Sequence, residues 1–298
     1  MLCAGLLVGT ACSFTGAAKA HQAGVPEISP QELVRLVVAH EVAATSDSAK
    51  HMFCSHKKTP KGSQTHLYVE TNDALAGMLT EVDGQPLTLQ QRQAEFGHLD
   101  WLIHNPDQLR KKHAREQEDA DRTMRIVRAL PDAFRYQYAG TENSTESEGK
   151  PGDLLVRLNF SPNPGYSPPS HVEQVLEGMQ GYLLIDTNEH RIAKIDGTLF
   201  RDVSFGWGIF GRLDKGGHFR VQQADVGNGS WELTLMDLSI TGKILLFKSI
   251  SMNWYEVFSD FEPVPSDLSF AKGVELLENE EKKLANEGES AAAQQTQQ

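Results

Sequence analysis

A chain of 298 residues, 39% hydrophobic and 23% charged, is long enough for one large domain or two modest ones and apolar enough to build a core. Its formal net charge of −12 excludes the basic footprint of a general nucleic-acid binder. Past the first residues no stretch approaches the ~20 apolar residues of a helical membrane span, so none is expected in the body of the chain.

Residues 2–18 hold no charge and are mostly small or apolar. Ala18-Lys19-Ala20 fits a small-x-small peptidase site, so residues 1–20 are expected to be a signal peptide and the rest to be exported to the periplasm. Cys12, after Leu7-Val8-Gly9-Thr10-Ala11, offers a competing site for lipid anchoring. Cys3 and Cys12 both fall in this segment, which leaves Cys54 alone and rules out an internal disulfide in the mature chain.

Residues 21–44 are expected to hold an N-terminal helix. Ser29 can cap it, Pro30 suits the first turn, Glu32 completes a capping box, and Leu33, Leu36 and Val37 recur at helical spacing. Residues 45–275 read as one β-rich domain. Its first strands are predicted at 51–57, 65–70 and 77–82, with Asp83-Gly84 as a tight turn. A helical insertion over 88–130 starts on the capping box Thr88/Gln91, is interrupted at Asn105-Pro106-Asp107, and is stopped by Pro131. Residues 141–152 read as a polar loop and 161–170, with four prolines, as an extended connector. From Met179 onward six strands are predicted, at 182–186, 191–200, 209–213, 218–225, 231–240 and 243–252. Turns such as Lys215-Gly216-Gly217, Gly227-Asn228-Gly229 and Thr241-Gly242 separate them, which implies an antiparallel meander. Residues 276–298 begin as a charged stretch that can form a helix and end in Ala-Ala-Ala-Gln-Gln-Thr-Gln-Gln, and the segment reads as a disordered tail.

Leu183-Leu184-Ile185 and Ile244-Leu245-Leu246-Phe247 are apolar on both faces of their strands. Such a sheet must be covered twice, or covered once and hollow on the other side. The expected fold is therefore α+β: a curved antiparallel sheet with helices on its concave face and an apolar cavity. Leu184, Phe200, Phe205, Trp207, Phe210, Phe219, Trp231, Phe247 and Trp254 are the residues expected to line it.

Gly206-Trp207-Gly208-Ile209-Phe210-Gly211 matches a dinucleotide-binding string, but a second strand follows where that motif needs a helix, so no cofactor is expected. His51, Cys54, His56 and His66 form a soft-ligand group. If Cys54 and His56 share a strand face and His66 comes from the neighbouring strand, the three could hold a metal, although the spacing matches no standard zinc pattern. No G-x-S-x-G, H-E-x-x-H or P-loop pattern occurs, and the chain is expected not to be an enzyme. The rival expectations are an envelope hydrolase with dispersed carboxylates or a Cys54/His56/His66 metal site, and a structural envelope protein with a filled core.

The runs Gly178-Met-Gln-Gly-Tyr-Leu-Leu-Ile-Asp186, Arg191-Ile-Ala-Lys-Ile-Asp-Gly197 and Phe205-Gly-Trp-Gly-Ile-Phe-Gly-Arg-Leu-Asp-Lys-Gly-Gly217 resemble exported proteins of acidobacterial type. Those in turn resemble the periplasmic lipoprotein carrier and outer-membrane lipoprotein-sorting fold. The resemblance covers roughly residues 45–265 and is most specific over 178–250. It implies an open antiparallel half-barrel with helices on the concave side and a cavity for lipid or lipoprotein acyl chains.

Overall fold

A computed structural model describes residues 28–45, 49–205, 211–244 and 248–295. The expected signal segment with Cys12, the bulk of the glycine string with Trp207 and Phe210, and the site residue Phe247 lie outside the described residues.

The first helix, α1 (Pro30–Ala44), starts as its sequence dictates. Ser29 accepts from the Glu32 amide, and the Glu32 carboxylate accepts from the Ser29 amide at 3.0 Å. Strands β1 (Lys50–Thr59), β2 (Gly62–Val69), β3 (Ala76–Val82) and β4 (Gln85–Pro86) follow. Asp83 and Gly84 both take positive φ, 52° and 71°, the conformation a two-residue hairpin turn requires. Helix α2 (Leu89–His104) is capped by Thr88 and Gln91, and α3 (Pro106–Ala133) restarts at Pro106. Pro131 lies inside the last turn of α3, which ends at Ala133, shortly past the stop expected there, and its ring costs that turn one i→i−4 hydrogen bond. Its carbonyl and that of Phe134 accept from the Gln31 side chain, which ties the end of α3 to α1.

The second half of the chain supplies β5 (Phe134–Asn143), β6 (Leu154–Pro162), a short helix α4 (His171–Gln174), β7 (Met179–Asp186), β8 (Arg191–Leu199), β9 (Val203–Phe205), β10 (Gly211–Leu213), β11 (His218–Asp225), β12 (Trp231–Ile244), β13 (Lys248–Val264) and α5 (Phe270–Gln295). Among the described residues thirteen strands form one sheet, eleven of them in the order β4-β3-β2-β1-β13-β12-β11-β8-β7-β6-β5 and two, β9 and β10, off that path. The named strands pair antiparallel, and the two outer strands, β4 and β5, do not meet. The fold is thus α+β with an open antiparallel sheet.

The meander is larger and less regular than its turn signals suggest. β8 pairs with β11, while β9 and β10 form a side hairpin whose second strand pairs with β12. Thr241-Gly242 is not a turn: β12 runs through it, and a Cβ on Gly242 would lie 2.3 Å from the Arg212 carbonyl of β10. The glycine is there to let a second backbone approach. Strands β5 and β6, hidden by their neighbouring loop and proline-rich segments, were not anticipated.

Two packed clusters hold the sheet. In the first, α1 (Leu33, Val34, Val37) and the end of α3 (Leu130, Ala133) lie on β5–β8 through Val156, Leu158, Leu183 and Ile185. In the second, α2 (Leu99, Leu102) and α5 (Phe270, Val274, Leu277) cover Met52, Leu67, Val69 and Met78 of β1–β3. Helix α3 joins the two: Leu109 near its start packs on the second cluster, and Ile126 and Val127 pack on the first. The boundary expected at residue 276 falls inside α5, where Leu277 is fully buried.

Leu183-Leu184-Ile185 is apolar on both faces because both faces are covered. Leu183 and Ile185 join the first cluster, while Leu184 packs with Leu155, Ala193 and Trp231. The turn between β5 and β6, residues 144–153, lies against β8, β11 and β12. Gly149 exchanges hydrogen bonds with Gln223 and Asp225 at 2.9 and 3.3 Å, Thr234 donates to the Ser147 carbonyl at 2.6 Å, and Lys194 meets Glu148 at 2.7 Å. This is the stretch whose composition reads as a free polar loop; its acidic residue Glu148 is buried and paired.

Leu277→Ala is expected to cost about 2–5 kcal/mol, as for other fully buried leucines, and to lower the midpoint of a urea melt followed by circular dichroism. A disordered tail would leave that midpoint unmoved.

Candidate binding cavity

Between α1 and α3 on one side and β8, β11 and β12 on the other lies a cavity of about 840 Å³. It forms where helix cover stops short of the sheet. Helix α1 presents a buried stripe, Leu33, Val34, Val37 and Val38, at helical spacing, and the next position on that stripe is Glu41. The cavity begins there. Val127 and Leu130 of α3 form one wall, and Ile195, Phe219, Val221 and Met236 the other. Gly197 makes room for Phe219, whose ring lies 2.6 Å from where a Cβ on that glycine would stand.

One end of the cavity is polar. Arg191, at the start of β8, donates from Nε to Glu41 Oε1 at 3.1 Å, with a second contact of 3.1 Å from Nη2 to Oε2. The Ile192 amide donates to the same Glu41 Oε1 at 2.8 Å. The guanidinium also lies 5.3 Å over the Trp231 ring. Both partners are buried, so the pair is fully engaged. Beside it, Glu70 after β2 and Glu232 on β12 also line the cavity. His51 of β1 stands between them. Its amide donates to Glu70 Oε2 at 2.8 Å, and its Nδ1 lies 3.1 Å from Glu232 Oε1 and 4.0 Å from Glu70 Oε2. Burial, with the Glu70 charge second, pushes the Glu232 carboxyl up to about 7. Burial also raises Glu70 and lowers the imidazole of His51.

Of the nine residues expected to line a cavity, Phe219 and Trp231 do. Leu184 faces the cluster under the β5–β6 turn. Phe200, beyond the end of β8, carries Arg201 5.6 Å over its ring. Phe205 packs in a small cluster with Leu199 and Val203 and meets His171 edge-on at 6.2 Å. Trp254, half-buried on β13, has Lys57 4.7 Å over its ring. Trp207, Phe210 and Phe247 lie outside the described residues.

The metal group does not assemble. Strand register puts Cys54 across from Leu67 and His56 across from Thr65, whereas His66 lies across from Ser55, on the opposite face. His56 Nδ1 is 3.1 Å from Thr65 Oγ1, and His66 stacks on Tyr68 at 5.6 Å. The Cys54 thiol is pushed up to about 11, chiefly by burial, which makes it a poor metal ligand.

The polar end was missed. Its one sequence signal is Glu41, an acid on the apolar stripe of α1; nothing in the order of residues ties it to Arg191, 150 positions away.

No family model matches the chain, and no curated protein matches it. Among solved structures, the crystal structure of a DUF1329 family protein from Desulfovibrio piger ATCC 29098 is similar at 11% identity and a TM-score of 0.29. The match covers 81% of this chain and 95% of that one. A likeness of this size leaves the function to be argued from the cavity.

Two outcomes test the polar end. Glu41→Ala leaves the Arg191 guanidinium buried without its partner and is expected to cost about 3–5 kcal/mol in a denaturant melt. Glu232 takes up its proton more readily folded than unfolded, so its contribution to stability is full at low pH and is lost as pH rises from about 4.5 to about 7. Glu232→Gln is therefore expected to be more stable than wild type at pH 8, by at most about 3 kcal/mol. The two should converge near pH 4.5 in thermal melts.

Proposed function

We propose that this is an exported, non-catalytic envelope protein that holds a hydrophobic molecule in the cavity between α1, α3 and the β8–β11–β12 sheet. In this reading the sheet is a half-barrel with helices on its concave face, and the bound molecule is a lipid or lipoprotein acyl chain. The observation that carries it is the cavity itself. Its volume of about 840 Å³ falls within the roughly 300–1,000 Å³ of small-molecule sites, and apolar side chains from two helices and three strands make its walls. A structural subunit with a filled core has no use for such a space, since an empty apolar volume costs stability. Burial of an acyl chain against Val127, Leu130, Ile195 and Phe219 would contribute about 0.8 kcal/mol per methylene. Export from a cleaved segment ending at Ala20, or anchoring through Cys12, would put the protein where lipids and lipoproteins cross between membranes.

Native mass spectrometry and tryptophan fluorescence test this directly, because Trp231 lines the cavity. The protein is expected to take up one long-chain apolar ligand, with a change in emission. Val127→Trp, which fills the cavity from the half-buried face of α3, is expected to weaken that uptake at least about tenfold, with a melt that stays cooperative and a loss of stability of no more than the roughly 1–3 kcal/mol of an overpacked site. Unaltered binding in this variant would place the ligand elsewhere.

A further inference from the structure

The walls of the cavity are apolar, but its polar end is acidic and short of positive charge. Three carboxylates line it, those of Glu41, Glu70 and Glu232. Glu41 is matched by Arg191 and the Ile192 amide. Glu70 has the His51 amide and Glu232 a long contact of 3.5 Å from the Ser230 hydroxyl, and neither carboxylate forms a close ion pair with Lys or Arg among the described residues. Lys50, whose charge draws Glu70 down without a close contact, donates to Asn72 Oδ1 and to the Ser266 carbonyl. Arg191 is held by Glu41 and Gln223.

His51 is a second and separate sign that something is missing here. Its side chain is 5% exposed, and its Nδ1 has no hydrogen-bond partner in proper geometry among the described residues. Glu232 Oε1 lies 3.1 Å from that nitrogen but out of line for a hydrogen bond, and Glu232 lines the cavity. Two carboxylates with unmet bonding capacity that line an apolar cavity, backed by a buried imidazole, describe a head-group seat.

Resting on the cavity reading above, we infer that the ligand is an amphiphile with a protonated amine head, seated against Glu70 and Glu232, its apolar tail running along Ile195, Phe219 and Val127. An ammonium group brings three donors and a positive charge to two carboxylates that repel each other. A fatty-acid carboxylate would add a third negative charge to the same spot. The shift of Glu232 up to about 7 has the Glu70 charge as its second cause, and a bound cation relieves that repulsion. The lowered His51 leaves the imidazole neutral near pH 8, so it does not serve as the missing cation.

The test compares dodecylamine, dodecanoate and dodecanol, each below its micelle concentration, by calorimetry and Trp231 emission at pH 8 with the full mature chain. Dodecylamine is expected to bind at least about tenfold more tightly than dodecanoate, with dodecanol between them. In Glu70→Gln/Glu232→Gln that preference is expected to vanish while dodecanol affinity stays within about twofold of wild type, which also shows that the variant is folded. Equal binding of all three, or tighter binding of dodecanoate, overturns the amine head and leaves the cavity reading standing. Failure of all three to bind overturns both. Loss of amine binding in Val127→Trp, with the carboxylates intact, confirms that head and tail belong to one site.

Discussion

The contact on which the rest of the molecule depends is the buried pairing of Glu41 with Arg191. It joins the last turn of α1 to the first residue of β8 across 150 positions of chain. A carboxylate at that depth is tolerable only with a fork-shaped cation and a backbone amide to satisfy it, and Arg191 and Ile192 supply both. The pair fixes how far α1 reaches along the sheet. Short of it, Leu33, Val34, Val37 and Val38 pack against the strands; beyond it, the helix stands off and the cavity opens. The same guanidinium lies over Trp231, so the packing of β12 depends on it as well.

The sheet around this contact solves a coverage problem. Central strands with apolar residues on both faces cannot leave either face wet. On one side the cover is α1 and the end of α3. On the other it is the β5–β6 turn, a polar stretch that succeeds because its side chains and amides find partners on β8, β11 and β12. Where neither cover reaches, between α3 and the strands β8, β11 and β12, the apolar surface lines the cavity. At the far end of the sheet α2 and α5 cover β1–β3, and α3 spans the interval between the two clusters.

The electrostatics of the cavity follow from the same geometry. Two carboxylates and an imidazole, from the end of β2, from β12 and from β1, meet at one end of an apolar space, where burial is the first cause that raises the acids and lowers the base. One carboxylate, Glu41, has its partner within the fold. The other two have only partial ones: Glu70 accepts from the His51 amide and Glu232 has a 3.5 Å contact from the Ser230 hydroxyl.

The sequence by itself determined the local elements. Ser29 with Glu32 and Thr88 with Gln91 each start a helix in the structure as written, because a capping box needs only residues three apart. Asp83-Gly84 turns where the left-handed region is cheap. The open antiparallel sheet was legible from strands spaced by short turns, and the two-faced apolar runs said that the sheet must be covered twice. What only the tertiary structure decided is which residues meet. A polar loop became the cover of the second face because partners lay within reach, a fact absent from its composition. Gly242 looked like a turn and proved to be a crossing point, because close backbone approach leaves the same residue signature. Cys54, His56 and His66 were separated by a one-residue phase of register. Aromatic richness pointed to Phe219 and Trp231 but also to Phe200, Phe205 and Trp254, since packing and lining call for the same side chains. The acids that set the character of the cavity, at positions 41, 70 and 232, are far apart in the chain and acquire meaning only when the sheet brings them together.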